Sequence, residues 1–374
     1  MRVILFFTYG VSLKTWEETG LLQREIRLYQ ELVIQYGLEI QFITYGDSGD
    51  RQWENHLQGI QLLPIYERIR RPNSKILSFL QSFYIPWVFR NELRQADIFK
   101  TNQISGGWVA AISKWFFQKP LIVRCGYEFY DFSLRQKRSR LFQYYTYWIS
   151  WLVYKNADLI NVASDLDKNL VKTVFKIEES LIELRPNWVD TDVFKKLSIK
   201  KINNVLFVGR LNEQKNIPLL LKSINDSEVT LDIVGEGELK NQLNEWLFKK
   251  NIKVNFLNRI PNNKMPELYN RYKVYVICSS YEGNPKTLLE AMACGCAVIG
   301  TRVSGIKEII NHEVTGILVS EDATELQSEI IRLLSNQSLS KKLGLEARKQ
   351  ILLNNSLKTA LSNEISTYSK FVRS

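Results

Sequence analysis

Short apolar runs alternate with longer amphipathic stretches along the whole chain, and this alternation restricts the fold more than any other feature. Val3–Thr8, Ile40–Thr44, Ile98–Thr101, Leu121–Arg124 and Leu159–Val162 form one series of runs. Val205–Val208, Leu231–Val234, Val254–Leu257, Val274–Cys278, Val298–Gly300 and Ile317–Val319 form a second. A run that is apolar on both faces suits a parallel strand covered by helices on either side. Between the first two runs, Leu22, Ile26, Tyr29 and Val33 recur at helical spacing. Two series of alternating strand and helix predict an α/β chain with two Rossmann-like domains, and 374 residues suffice for both. The turn-rich stretch RPNWVDTDVFKK from Arg185 marks the boundary. The expected division is 1–187, 188–356 and a last helix over 357–374.

The stretch SSYEGNPKTLLE, Ser279–Glu290, stands at a junction from strand through loop to helix. Asn284 suits the N-cap and Pro285 the first helical position, where its missing N–H costs nothing. The helix is expected to run to about Cys294 and stop at Gly295. Glu282 then lies in the loop, and Glu290 about one and a half turns into the helix. The free N–H groups of Lys286 and Thr287 point out of the helix mouth, an arrangement that favours anions. Two carboxylates around an anion site suit a ligand carrying both hydroxyls and phosphate.

This segment, with the AMACG that follows it, resembles the signature of family 4 type glycosyltransferases of the GT-B superfold: a Glu, seven residues, a Glu, then Ala-Met-Ala-x-Gly. The blocks NVLFVGRLNEQKNIP from Asn204 and TLDIVGEG from Thr230 are similar to that family's in the same order, as are Val254–Ile260, Met265–Tyr269 and Gly305–Ile309. The resemblance covers the C-terminal half, and the N-terminal half is only loosely similar. It implies two parallel sheets facing across a cleft, with a nucleotide-sugar donor on the C-terminal domain and a glycan or lipid-linked acceptor on the N-terminal one. By resemblance Arg210 and Lys215, after Gly209, hold the donor diphosphate, and Glu290 accepts from the ribose hydroxyls. Glu282 faces the transferred sugar or its phosphate. Gly283, Asn284, Lys286 and Thr287 line the same loop and helix mouth, and Arg259 and Ile260 neighbour the base. The catalytic expectation rests on Arg210, Lys215 and Glu282. On the acceptor side, Gly10 lies in the loop after the first run, and Arg124, Tyr127 and Glu128 lie in RCGYEFYD at the end of another.

The implied activity is sugar transfer with retention of configuration, in surface polysaccharide or lipopolysaccharide assembly, with no metal and no cofactor. An epimerase or phosphorylase of the same superfold, or a non-catalytic scaffold, is the alternative. Many relatives carry a catalytic His; here the only histidines, His56 and His312, match no catalytic position. Asp165-x-Asp167 and Asp190-x-Asp192 imitate a metal motif of a different superfold, and Gly235-x-Gly237 lacks the third glycine of a dinucleotide fingerprint. The four cysteines show no metal or disulfide spacing and suit buried thiols in a cytosolic protein.

The net charge of +11 is uneven: residues 51–150 hold 15 Lys and Arg against 6 Asp and Glu. Arg68, Arg70, Arg71 and Lys75 precede the apolar stretch Ile76–Phe89, and Arg135, Lys137, Arg138 and Arg140 precede a Tyr- and Trp-rich segment. No nucleic-acid motif accompanies them, and no apolar span reaches the length needed to cross a bilayer. A cytoplasmic protein, peripheral on the inner face of the cell membrane through an anionic lipid surface, is the expectation.

Overall fold

The structure, a computed structural model, describes residues 1–248, 252–257 and 259–372. The chain divides into two compact units, Met1–Arg185 with Ala360–Ser374, and Pro186–Thr359. Both carry an all-parallel sheet between helices. The first unit holds β1 (Arg2–Phe6), β2 (Glu39–Thr44), β3 (Gln61–Pro64), β4 (Ile98–Thr101), β5 (Leu121–Cys125), β6 (Leu159–Val162) and β7 (Ile182–Leu184), in the order β3-β2-β1-β4-β5-β6-β7. The second holds β8 (Ile202–Val208), β9 (Leu231–Val234), β10 (Val254–Leu257), β11 (Tyr272–Ile277), β12 (Ala297–Thr301) and β13 (Ile317–Val319), in the order β10-β9-β8-β11-β12-β13.

The apolar runs predicted as strands are strands in both units. Two strands, β3 and β7, give no such signal. β3 ends in Pro64, which only an edge position tolerates. β7 is three residues long and interrupted by Glu183. Alternation along β11 explains the packing of the second unit. Tyr275 and Ile277 enter one apolar cluster with Leu288, Met292 and Ile306, whereas Val274 and Val276 enter the other with Leu220 and Ile330. Both faces are therefore buried, as a parallel sheet requires.

In each sheet the order reverses direction beside its first strand, between β1 and β4 and between β8 and β11. Loops diverge at such a reversal and leave a crevice at the carboxyl ends of the strands. In the second unit the loops after β8 and β11 meet there.

The last helix, Leu357–Val372, supplies Glu364 and Tyr368 to the first unit. Lys100 of β4 is 1% exposed and pairs with Glu364 at 2.5 Å, with the Tyr368 hydroxyl 3.2 Å away. Burial pulls the Lys100 ammonium down in pKa, and the Glu364 carboxylate partly offsets that shift.

Candidate active site

The loop after β11 is braced by the end of β12 and by the turn after β8. Thr301 Oγ1 at the end of β12 donates to Ser279 O at 2.6 Å, and Ser279 Oγ donates to Glu282 Oε1 at 2.6 Å. Gln214, in the 3-10 turn after β8, accepts at its backbone oxygen from Ser280 N at 2.9 Å and donates through Nε2 to Tyr281 O at 3.0 Å. The loops after β8 and β11 are thereby tied backbone to backbone. Gly305 closes the far side. Its φ is +79°, and a Cβ there would stand 2.2 Å from Gly283 O and 2.5 Å from Glu282 O.

Within this frame Lys215 Nζ forms an ion pair with Glu282, whose residue is 8% exposed. The sequence places both residues in one site but does not reveal that they contact each other. Arg210 follows β8 and is exposed. Gly209 lies against the Phe207 ring and the Lys215 stem. The Gly235-x-Gly237 turn lies directly on this segment: Leu211 N donates to Glu236 O at 2.9 Å, and a Cβ on Gly235 would stand 1.9 Å from Gly209 O. Those glycines shape the Gly209–Leu211 turn by packing.

The helix after the loop is Lys286–Ala293, with Pro285 at the N-cap and Cys294 at the C-cap. Asn284 is therefore not the cap, contrary to its residue type. Its side chain is spent on Asn187: Asn187 N donates to Asn284 Oδ1 at 3.0 Å, and Asn187 Nδ2 to Asn284 O at 2.6 Å. Asn187 O in turn accepts from Asn355 Nδ2 at 2.9 Å. This clamp leaves the N–H groups of Lys286 and Thr287 in the first turn at the helix mouth. Lys286 Nζ lies 5.8 Å from the Trp188 ring centroid. Thr287 Oγ1 lies 3.0 Å from the Tyr275 hydroxyl.

Glu290 is 4% exposed, and its Oε2 accepts from the Tyr269 hydroxyl at 3.0 Å. Burial and the neighbouring Glu290 carboxylate both push the Tyr269 phenol well up, so it stays a donor. Arg259 is exposed beyond β10, two strands from β8. Ile260 packs against the apolar cluster that holds Tyr275 and Met292.

Each of the four candidates of the first unit has surroundings of its own. Gly10 has φ +75° and open space around its Cβ position; the close backbone approach there belongs to Gly106, whose Cβ would meet Tyr9 N at 2.7 Å. Arg124 is a strand residue, on the same face of β5 as Ile122, which pairs with Lys100. Its charge is felt by the buried Lys100 and Glu364. Tyr127 is 41% exposed, with its ring 4.9 Å from Phe132. Glu128 is a buried helix cap, 2% exposed, accepting from Asp131 N at 2.7 Å. Its own N–H donates to Asp167 Oδ1 at 2.9 Å.

The Asp-x-Asp pairs have local work. Asp190 Oδ1 accepts from Asp192 N and Val193 N, and Asp167 accepts from Ser164 Oγ. Among the described residues no cluster of three His, Cys, Asp or Glu side chains is placed to hold a metal. All four cysteines are buried and free.

A profile described as Glycosyl transferases group 1 matches residues 189–350, and one described as Glycosyltransferase Family 4 matches residues 27–193. Together they span both units. The chain belongs to the family 4 type of glycosyltransferases. This family 4 chain is 30% identical over 205 residues to a GalNAc-alpha-(1->4)-GalNAc-alpha-(1->3)-diNAcBac-PP-undecaprenol alpha-1,4-N-acetyl-D-galactosaminyltransferase of Campylobacter jejuni, covering 53% of this chain and 56% of that one. It is 29% identical over 197 residues to the amylovoran biosynthesis glycosyltransferase AmsD of Erwinia amylovora, covering 50% and 56%. The family 4 chain thus spans about half the length of the curated relatives it matches. Its fold is that of Alr3699/HepE of Anabaena, solved in complex with UDP, with a TM-score of 0.77, 16% identity, and 99% and 100% of the two chains covered. That fold is GT-B.

Sequence reasoning missed the residues that hold this family 4 site in place, namely Asn187, Gln214, Tyr269, Tyr275 and Thr301. Gln214 and Tyr269 lie in blocks that resemble the family's, and Asn187 in the turn-rich boundary stretch, but local sequence does not show the contacts they make.

Proposed function

We propose that this protein transfers a sugar from a nucleotide-sugar to a glycan or lipid-linked acceptor, with retention of configuration and without a metal, in the assembly of a surface polysaccharide or lipopolysaccharide. The supporting observation is the convergence of Lys215, Glu282 and the Lys286–Ala293 helix mouth on one loop frame, with the buried Glu290 one and a half turns behind it.

In this reading the diphosphate lies on Arg210, Lys215 and the N–H groups of Lys286 and Thr287. Charge grows on the diphosphate as its bond to the anomeric carbon breaks, and fixed donors stabilise that charge. The acceptor hydroxyl attacks from the leaving-group face. Its oxygen forms the new bond to the anomeric carbon, and its proton passes to the departing phosphate oxygen. No protein nucleophile is required, and protein cations supply the positive charge. Glu290 accepts from the ribose hydroxyls, with Tyr269 fixing its orientation. The acceptor class is taken from the undecaprenol-linked glycan in the name of the Campylobacter relative, and the pathway from the name of AmsD.

A thermal-shift panel of nucleoside diphosphates, followed by their sugars, tests donor binding. Proton NMR of the new linkage tests retention. An inverted product, or activity abolished by EDTA and restored by manganese, contradicts the mechanism.

A further inference from the structure

The first unit exposes apolar side chains in a pattern that core packing does not require. The helix Arg140–Lys155 buries Ile149, Val153 and Tyr154. On its opposite face Leu141 is 84% exposed, Tyr144 66% and Trp148 59%. Their spacing of three and four residues makes a single stripe. The helix Lys75–Ser82 exposes Ile76 by 73% and Leu80 by 58%. The Phe79 ring stands 5.9 Å from Tyr145, so the two helices lie side by side. Two neighbouring helices thus each expose more than one apolar side chain, where an ordinary monomer scatters exposed hydrophobes singly.

The charge around this surface has one sign. Residues 68–91 contain Arg68, Arg70, Arg71, Lys75 and Arg90 and no Asp or Glu. Residues 132–157 contain Arg135, Lys137, Arg138, Arg140 and Lys155, again with no Asp or Glu. Arg68 and Arg135 are paired with Glu92 and Asp131 from outside those segments. Arg70, Lys75, Lys137, Arg138 and Arg140 are exposed, and among the described residues no carboxylate pairs with them.

Charge decides the occupant. A second copy would bring two acid-free surfaces together, and their like charges would oppose docking. An anionic bilayer complements both features. Trp and Tyr rings favour the headgroup region, and Lys and Arg near an anionic surface each strengthen adsorption. No helix among the described residues is long and apolar enough to cross a membrane, so the contact is adsorption in the interfacial plane. We propose that the face formed by the helices Lys75–Ser82 and Arg140–Lys155 docks on the surface of an anionic phospholipid bilayer. This docking face is independent of the transfer reaction.

The test is co-sedimentation of the full chain with vesicles of phosphatidylcholine, with and without phosphatidylglycerol. The protein should pellet with the phosphatidylglycerol vesicles at low salt and progressively less towards physiological salt, because screening shortens the reach of the charges. Leu141→Glu with Trp148→Glu should abolish pelleting. Each of Lys137→Gln and Arg138→Gln, in an exposed turn whose change leaves the helix intact, should weaken it about fivefold. Ile331→Glu, at a comparably exposed apolar position of the second unit, should leave it unchanged. Absence of pelleting at low salt overturns the proposal, as does equal pelleting with both vesicle types. So does light scattering that shows a dimer dissolved by Trp148→Glu, which would make the face an interface between copies. Binding of uridine diphosphate, measured on the same variants, should be unmoved. A membrane failure with nucleotide binding intact leaves the transferase reading standing, and the converse result leaves the docking face standing.

Discussion

Replacing Glu128 by Gln should stabilise the first unit at neutral pH and flatten its response to pH. The Glu128 carboxyl is pushed from 4.5 up to about 7, chiefly by burial. The Asp131 N–H opposes that shift, and the Asp167 carboxylate adds to it. The folded state therefore holds a proton that the unfolded chain releases between about pH 4.5 and pH 7. Stability falls as pH rises through that window and levels off above about pH 7. At about 1.4 kcal/mol per unit, the contribution lost is on the order of 3 kcal/mol as an upper bound. Glutamine keeps an oxygen for the Asp131 N–H, 2.7 Å from Oε2 in the native protein. Its amide can donate to Ser150 Oγ, whose hydroxyl already faces the carboxyl in the native protein. Giving up a partly charged cap costs about 1 kcal/mol, so a net gain of about 1–2 kcal/mol should appear near pH 8 and vanish near pH 5. Urea midpoints of the first unit's transition, measured across this range, give the answer. Parallel pH profiles for the native protein and Glu128→Gln would show that the carboxyl is ionised in the fold and refute the reasoning. Unchanged acceptor kinetics are also expected, because this carboxyl caps a helix.

Glu290→Ala should raise the donor's KM and weaken nucleotide binding about tenfold or more, for loss of a charged acceptor worth roughly 1.5–3 kcal/mol; unchanged affinity in calorimetric titration would remove Glu290 from the site. Gly305→Ala should force the Glu282–Gly283 backbone away and cost at least about 1 kcal/mol from its left-handed conformation alone, seen as a lower melting temperature of the second unit together with reduced donor binding; a native-like variant would show that the loop is not braced there. Lys100→Met leaves Glu364 buried without its cation and should cost roughly 3–5 kcal/mol, whereas the double variant Lys100→Met/Glu364→Leu should recover most of that loss in urea unfolding; if the double variant is no more stable than the single one, the pair is not the cause.

Much of this molecule is legible in its sequence. Parallel strands buried on both faces must be apolar throughout, and their helices must be apolar on one face. The β/α alternation and two sheets therefore follow from hydrophobic period alone. The donor-side segment was readable for a related reason: Glu282, Lys286, Thr287 and Glu290 are close in sequence, and one loop-helix junction positions all four. Contacts between distant segments were not readable. Asn284 has the chemistry of an N-cap, yet Asn187, 97 residues away, takes its side chain, and the cap falls to Pro285. Arg124 and Glu128 are polar residues at a strand end, where ligands commonly bind. Register puts Arg124 on the face shared with Lys100, and packing turns Glu128 inward onto backbone. The Lys215–Glu282 pair joins loops 67 residues apart. Local pattern determines which element a residue joins, because backbone geometry repeats over a few residues. Only tertiary packing determines which polar group meets which, because that depends on how loops from separate strands come together at the sheet's end.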